Sequence, residues 1–587
     1  MEEKLIHPNI NILRNQIDFT KVPFSDRGSR IMLLLSKDEP CLLIRLAERL
    51  TNIDQNIEAY LKRPPLITNL SFIDREGNIL DFETITYPYA IYFNTELGDF
   101  GVTFAENNKI AVGLPQNQVC GISFHLSPQL WNTTDQGGEF KSIRNLTYAT
   151  NGKIIRNLII PERGGYQVTL IVETGDDSTV ILEITNELET INDIPLFSSL
   201  CAAAEKRWKD WFECVPPVKK PYLLTYTYAW WVMANNLVKP LGRLYYEAMM
   251  PSKVNYVGTW LWDSAMHVLA YRHNDAELAR NQLRVMLDCQ LPDGMLPDAV
   301  YDEGVIAEID HPIKAEVTKP PILAWAALKL HEIAPDNDFL QEIYVPLVRW
   351  NAWWFSMNDD DGDGLAQYNH PYSSGLDDSP LWDYGMPVES PDLNTYLCVQ
   401  MGSLARIADI LGMDAEAGMW RRKSSAIVRR MIEDMWDEEK GVFQAMYENQ
   451  PVNVLTPFNL YPLWTGQLPD HIRERLVKHL LSPDEFWGEF MIPSVAYLDP
   501  HHDPETMWRG PVWVNINYFF IEALHQIGED QVAFDLTKKT LDLIRSQQGI
   551  YEYYNSQTGI PPKTAAEAFG WTAAVYIDLA IQISQSK

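Results

Sequence analysis

The sequence predicts two unlike parts in one chain, an N-terminal β-sandwich followed by an (α/α)6 barrel. Three observations carry this. Apolar and polar residues alternate with strand periodicity up to about residue 195, a helical period takes over from residue 222, and of 19 tryptophans only Trp131 precedes residue 200. The expected division is a β-domain over 1–195, a helical linker over 196–218 and a helical domain over 219–587.

In the first part, short runs such as Ala90-Ile91-Tyr92-Phe93, Gly121 to Leu126 and Gln167 to Val172 read as strands. Turn-forming clusters separate them: Asp74-Arg75-Glu76-Gly77-Asn78, Glu106-Asn107-Asn108, Asn151-Gly152 and Gly175-Asp176-Asp177. Many strands at short spacing are the pattern of a sandwich.

The second part predicts twelve helices, at 222–239, 260–272, 275–290, 320–333, 338–357, 391–412, 415–437, 456–466, 469–481, 511–527, 530–548 and 568–585. Connections after even-numbered helices are a few residues long; those after odd-numbered helices span 240–259, 291–319, 358–390, 438–455, 482–510 and 549–567. Short links join antiparallel neighbours. Six stacked hairpins would therefore carry every long loop on one rim, where a pocket is expected.

With 48 basic and 79 acidic side chains the formal net charge is −31. A surface this negative repels nucleic-acid phosphates and anionic lipid, so neither is the expected partner. The N-terminus, Met1-Glu2-Glu3-Lys4, has no cationic start leading into a long apolar run, and the six cysteines form no Cys-x-x-Cys pair. A soluble cytoplasmic protein with reduced thiols is the expectation.

The chemistry-bearing segments fall in the long loops. They are Thr259-Trp260-Leu261-Trp262-Asp263, Ser373-Ser374-Gly375-Leu376-Asp377-Asp378, Met507-Trp508-Arg509-Gly510-Pro511-Val512-Trp513 and Tyr551-Glu552-Tyr553-Tyr554-Asn555. Sugar rings offer apolar faces that stack on Trp and Tyr, and hydroxyls that pair with carboxylates, Arg and Asn. Cleavage of a glycosidic bond uses two carboxyl groups, one protonated and one ionised, and aromatic enclosure raises the pKa of the acid. A carbohydrate is thus the expected partner.

These four segments, with Phe569-Gly570-Trp571-Thr572, resemble glycoside hydrolase family 63 of the inverting (α/α)6-barrel glycosidases, including its mannosylglycerate and glucosylglycerate hydrolase-like members. The resemblance covers the C-terminal two thirds and implies hydrolysis of an α-glucosidic linkage in a small α-glucoside or an oligosaccharide with inversion, Asp377 as general acid and Glu552 as general base. Trp260, Trp262, Asp263, Asp378, Trp508, Arg509, Trp513 and Tyr553 are the candidate substrate contacts.

Plainer roles stay open at this level. Asp378 rivals Asp377 as the acid, Glu552 could be a solvated loop charge, the tryptophans could be helix-start core, and Arg509 could clamp a carboxylate. Arg509 or Lys563 would suit an anionic aglycone such as glycerate. Gly570 stands where Ser is frequent in the family, which leaves the substrate open; α-L-rhamnosidase, trehalase, amylo-glucosidase and phosphorolytic activities, or sugar binding without catalysis, are the alternatives.

Asp359, Asp361, Asp363 and Gly364 fit positions 1, 3, 5 and 6 of a calcium loop, but position 12 is His370 where a bidentate Glu is needed. The simpler reading is a turn without metal. No histidine pair has metal-ligand helical spacing, so no catalytic metal is expected.

Overall fold

The structure is a computed structural model that describes residues 7–49, 64–162, 164–188, 191 and 193–585. Among them, fourteen strands between Ile31 and Thr185 build two sheets, of six and eight strands, with antiparallel pairing throughout. The chain passes between the sheets at the turns read from sequence. Asn151-Gly152 leads from Asn145–Thr150 in the larger sheet to Lys153–Glu162 in the smaller, and Gly175-Asp176-Asp177 leads back from Gly165–Glu173 to Ser178–Thr185. At Asp74 one carboxylate oxygen accepts the N–H groups of Glu76, Gly77 and Asn78, closing that turn.

Aromatic side chains join the sheets. Phe72 of the smaller sheet meets Phe93 and Phe100 of the larger at centroid distances of 4.8 and 4.5 Å, and Phe124 meets Phe140 and Tyr148. Helix Phe197–Glu213 then lies on strands Gly98–Glu106 and Lys109–Leu114. Gly101 and Gly113 make room for it, since a Cβ on either would sit 2.5 or 2.3 Å from the Phe197 ring. At its far end the Trp211 indole donates to the Trp230 carbonyl of the next helix.

All twelve expected helical segments are present. Leu261–Tyr271, Leu323–Ile333, Pro391–Ile410, Pro457–Thr465, Val514–Gln526 and Gly570–Gln585 pack each on the next, and the last packs back on the first. These are the even-numbered segments, and they are apolar nearly all round; every residue of Leu261–Tyr271 is buried. The odd-numbered helices, such as Ala276–Leu287 and Asp530–Arg545, pack against this cycle and bury one face only.

One segment differs in kind from the expectation. Pro457–Thr465 is a 3-10 helix with Pro457 in its first turn and Pro462, which offers no N–H, in its interior. A capping box between Thr456 and Asn459 starts it, and Gly466 at φ 64° ends it.

None of the six cysteines is in a disulfide. Among the described residues no helix is long and apolar enough to cross a membrane.

Candidate active site

Five long connections converge on one cavity at the end of the helical cycle where the motifs lie. Its lining includes Tyr256, Trp260, Trp262, Asp263, Lys319, Gly375, Asp377, Met507, Trp508, Trp513, Glu552, Phe569 and Trp571, around an empty volume of about 390 Å³ counted to its mouth.

The walls are indole. Trp508 and Trp513 stack with centroids 3.7 Å apart and planes 4° from parallel, Trp262 faces Trp508 at 6.1 Å, and Trp571 stands edge-on to Trp262 and Trp513. The Trp513 indole N–H donates to the Met507 carbonyl, which fixes the stack on its own loop. Gly375 lets the loop that carries Asp377 approach: it adopts φ +74°, and a Cβ there would come within 2.3 Å of the Trp262 ring.

Three carboxyl groups face this enclosure with raised pKa values, Asp377, Glu552 and Asp263. Asp377 is pushed up to about 7 by burial, against the opposing pull of the Lys319 ammonium, and its Oδ1 is buried with no hydrogen-bond partner. Glu552 is also pushed up to about 7 by burial, even though both its oxygens accept hydrogen bonds, Oε1 from the Tyr256 hydroxyl at 2.8 Å and Oε2 from the Ala566 N–H at 3.0 Å. It is 3% exposed, so it is not the solvated loop charge left open from sequence. Asp263, in the first turn of Leu261–Tyr271, is likewise held well above the usual carboxylate range by burial.

Of the ten residues singled out from sequence, seven line the cavity: Trp260, Trp262, Asp263, Asp377, Trp508, Trp513 and Glu552. Three do not, and each has another partner. Asp378 accepts the Trp508 N–H at 2.8 Å, Arg509 pairs with Asp383, and Tyr553 donates to Thr564 while its ring rests on Trp513. Lys563 is exposed and outside the lining.

Sequence reasoning missed Tyr256, Lys319 and Trp571 in the lining, and Asp298 behind it. Lys319 and Asp298 form an ion pair at 2.6 Å with side chains 5% and 3% exposed. The available signal was a lysine directly before Pro320-Pro321 at the start of an inner helix, a position where a charge is rare unless paired.

The family model of the mannosylglycerate hydrolase MGH1-like glycoside hydrolase domain matches residues 256–572, more than half of the chain. The chain belongs to this glycoside hydrolase family. It is a glycosidase of family 63, and its match begins at Tyr256 and takes in every residue of the cavity lining except Pro251. Mannosylglycerate hydrolase of Thermus thermophilus is 28% identical in an alignment 402 positions long that covers 56% of this chain and 95% of that enzyme. Glucosylglycerate hydrolase of Mycolicibacterium hassiacum is 24% identical, over 55% of this chain and 92% of that enzyme. Among solved structures, a family 63 mannosylglycerate hydrolase of Thermus thermophilus in complex with glucose has a TM-score of 0.52 at 24% identity, covering 60% of this chain and 99% of that one. A bacterial glucoamylase complexed with acarbose shares the fold over 97% of both chains, with a TM-score of 0.59 at 11% identity.

Away from the cavity, ligand atoms of Asp359, Asp361 and Asp363 lie within 4.8 Å of one another, a spacing that could hold a cation. Arg430 pairs with Asp363, and His370 at the twelfth position instead accepts the Tyr372 N–H.

Proposed function

We propose that this glycosidase hydrolyses an α-glucosidic linkage with inversion, Asp377 acting as general acid and Glu552 as general base. The observation that carries this is the pair itself. Two buried carboxyl groups, each with a pKa near 7, open onto one Trp-walled cavity and together hold about one proton at neutral pH. Asp377, with an oxygen free of donors, is suited to keep that proton and pass it to the departing glycosidic oxygen. Glu552, held on both oxygens by Tyr256 and Ala566, is suited to stay ionised and take a proton from the attacking water.

In this reading the twelve helical segments form a six-hairpin toroid, the two sheets form a sandwich, and the division into 1–195, 196–218 and 219–587 is kept. The Trp262 and Trp508 rings take the apolar side of the sugar, with Trp513 stacked between Trp508 and Tyr553 as their backing, and Asp263 accepts its hydroxyls. Asp378 and Arg509 tie the acid loop to the Trp508 loop instead of touching substrate. The small cavity favours a short substrate, and the relatives acting on glucosylglycerate and mannosylglycerate place those two glycosides beside simple α-glucosides in the test set. The Asp359, Asp361 and Asp363 turn enters as a structural joint, and no catalytic step passes through it.

The test is release of free sugar from glucosylglycerate, mannosylglycerate and a series of α-glucosides by wild type, D377N and E552Q. At least one substrate should be turned over, and each variant should lose about 100-fold or more, on the order of one general acid or base contribution. Turnover retained in E552Q would overturn the assignment.

A further inference from the structure

The Lys319–Asp298 pair has no part in the acid/base scheme, yet it is a buried charge pair against the proposed acid. Lys319 lines the cavity beside Asp377, and its ammonium makes an ion pair with Asp298 at 2.6 Å and donates to the Tyr372 carbonyl, five residues before Asp377. Asp298 is fixed from the other side: its backbone accepts from Leu261 and donates to Ile306, next to the small sheet that holds Trp260. Asp377 Oδ1, in contrast, is buried with no hydrogen-bond partner. The lysine of the lining is thus ion-paired with Asp298, while its pull on Asp377 is exerted without a hydrogen bond to Oδ1.

We propose that Asp298 is a positioning residue that sequesters the Lys319 ammonium, so that Lys319 does not form an ion pair with Asp377 and strip it of the proton it must donate. This rests on the reading of Asp377 as the general acid. The charged and titratable groups around the pair are Asp263, Asp377 and His370, and those around Asp377 are Lys319, Asp298, Asp378, Glu552 and the Tyr256 phenol. All but Lys319, His370 and Tyr256 are carboxyl groups, so an ammonium released from Asp298 would turn to the nearest of these. Burial would make that attraction strong.

The test follows Asp377 directly. Infrared difference spectra across pH are recorded for wild type, D298N and D298N/K319M, with D377N identifying the protonated-carboxyl band of Asp377; kcat/KM is measured over the same range. In D298N the Asp377 midpoint and the alkaline limb of kcat/KM should fall together by about 1 to 3 pH units, the shift expected for an Asp beside a new cation. In D298N/K319M, where the cation is also gone, both should return towards wild type. A D298N midpoint that is unchanged or higher, or a double variant that stays at the D298N value, overturns the proposal. Should D298N not fold, K319M alone decides: its midpoint is expected to rise, and an unchanged or lower one overturns the proposal. An infrared midpoint that moves as stated in a protein with no glycosidase turnover would refute the proposed function alone. Turnover with an unmoved midpoint would refute the role of Asp298 alone.

Discussion

Replacing Asp377 by Asn should stabilise the protein at high pH while it abolishes turnover. In the folded chain this carboxyl group titrates at about 7 instead of 3.8, so between those values the native state holds a proton that the unfolded chain has released. Native stability therefore falls as pH rises through this window, by about 1.4 kcal/mol per unit, and levels off above the folded pKa. The full window of about 3 units corresponds to about 4 kcal/mol; because the carboxyl opens onto a cavity that solvent can enter, roughly 2 to 4 kcal/mol is the expected gain for D377N at pH 8. Near pH 4 the difference should vanish. Denaturant unfolding followed by tryptophan fluorescence reads the relevant part of the molecule, since 18 of the 19 tryptophans lie beyond residue 200. A D377N protein that is no more stable than wild type at pH 8, or whose advantage does not shrink towards pH 4, would refute the reasoning that burial holds this group protonated.

Three other substitutions probe the same site. Y256F removes the hydroxyl that donates to Glu552, so the base should hold its proton more tightly: the acidic limb of kcat/KM moves up in pH and the rate at neutral pH falls by about 10-fold or more, with unchanged limb positions counting against the contact. G375A places a methyl group against Trp262 at a backbone conformation that side chains rarely adopt; a loss of roughly 1 to 3 kcal/mol of stability or more, or of about 100-fold in kcat, is expected, and a neutral outcome would show that the loop can shift. For Asp378, whose carboxylate accepts the Trp508 N–H, D378N keeps an acceptor oxygen and should retain most of kcat, whereas D378A should lose about 10-fold. The reverse order would return Asp378 to the acid role.

The helical half was legible because it is read locally. Period and the alternation of loop lengths located all twelve segments; the 3-10 geometry of Pro457–Thr465 escaped, as did the short helical turns Pro371–Ser374 and Pro380–Trp382 inside the loop 358–390, too short to show a period. The order of strands was not legible: Val119–Leu126 pairs with Gly165–Glu173 and Ile67–Ile73, partners about 45 and 50 residues away that no local signal specifies. The same contrast runs through the site. Trp262, Asp377, Trp508, Trp513 and Glu552 sit in dense motifs and converge on the cavity. Asp378, Arg509 and Tyr553 share those motifs but are engaged by Trp508, Asp383 and Thr564, which sequence spacing does not show. Tyr256, Lys319 and Asp298 gain their meaning only from neighbours on other loops.

The stereochemistry of the first product tests the central claim most directly. A proton NMR time course of the hydrolysis of an α-glucoside or glucosylglycerate, started at high enzyme concentration, distinguishes the anomer released from the one formed later by mutarotation. With Glu552 activating water on the face opposite the leaving group, β-glucose should appear first and α-glucose only afterwards. Initial release of α-glucose would mean that a carboxylate attacks carbon instead of water, and would contradict the pairing of Asp377 as acid with Glu552 as base.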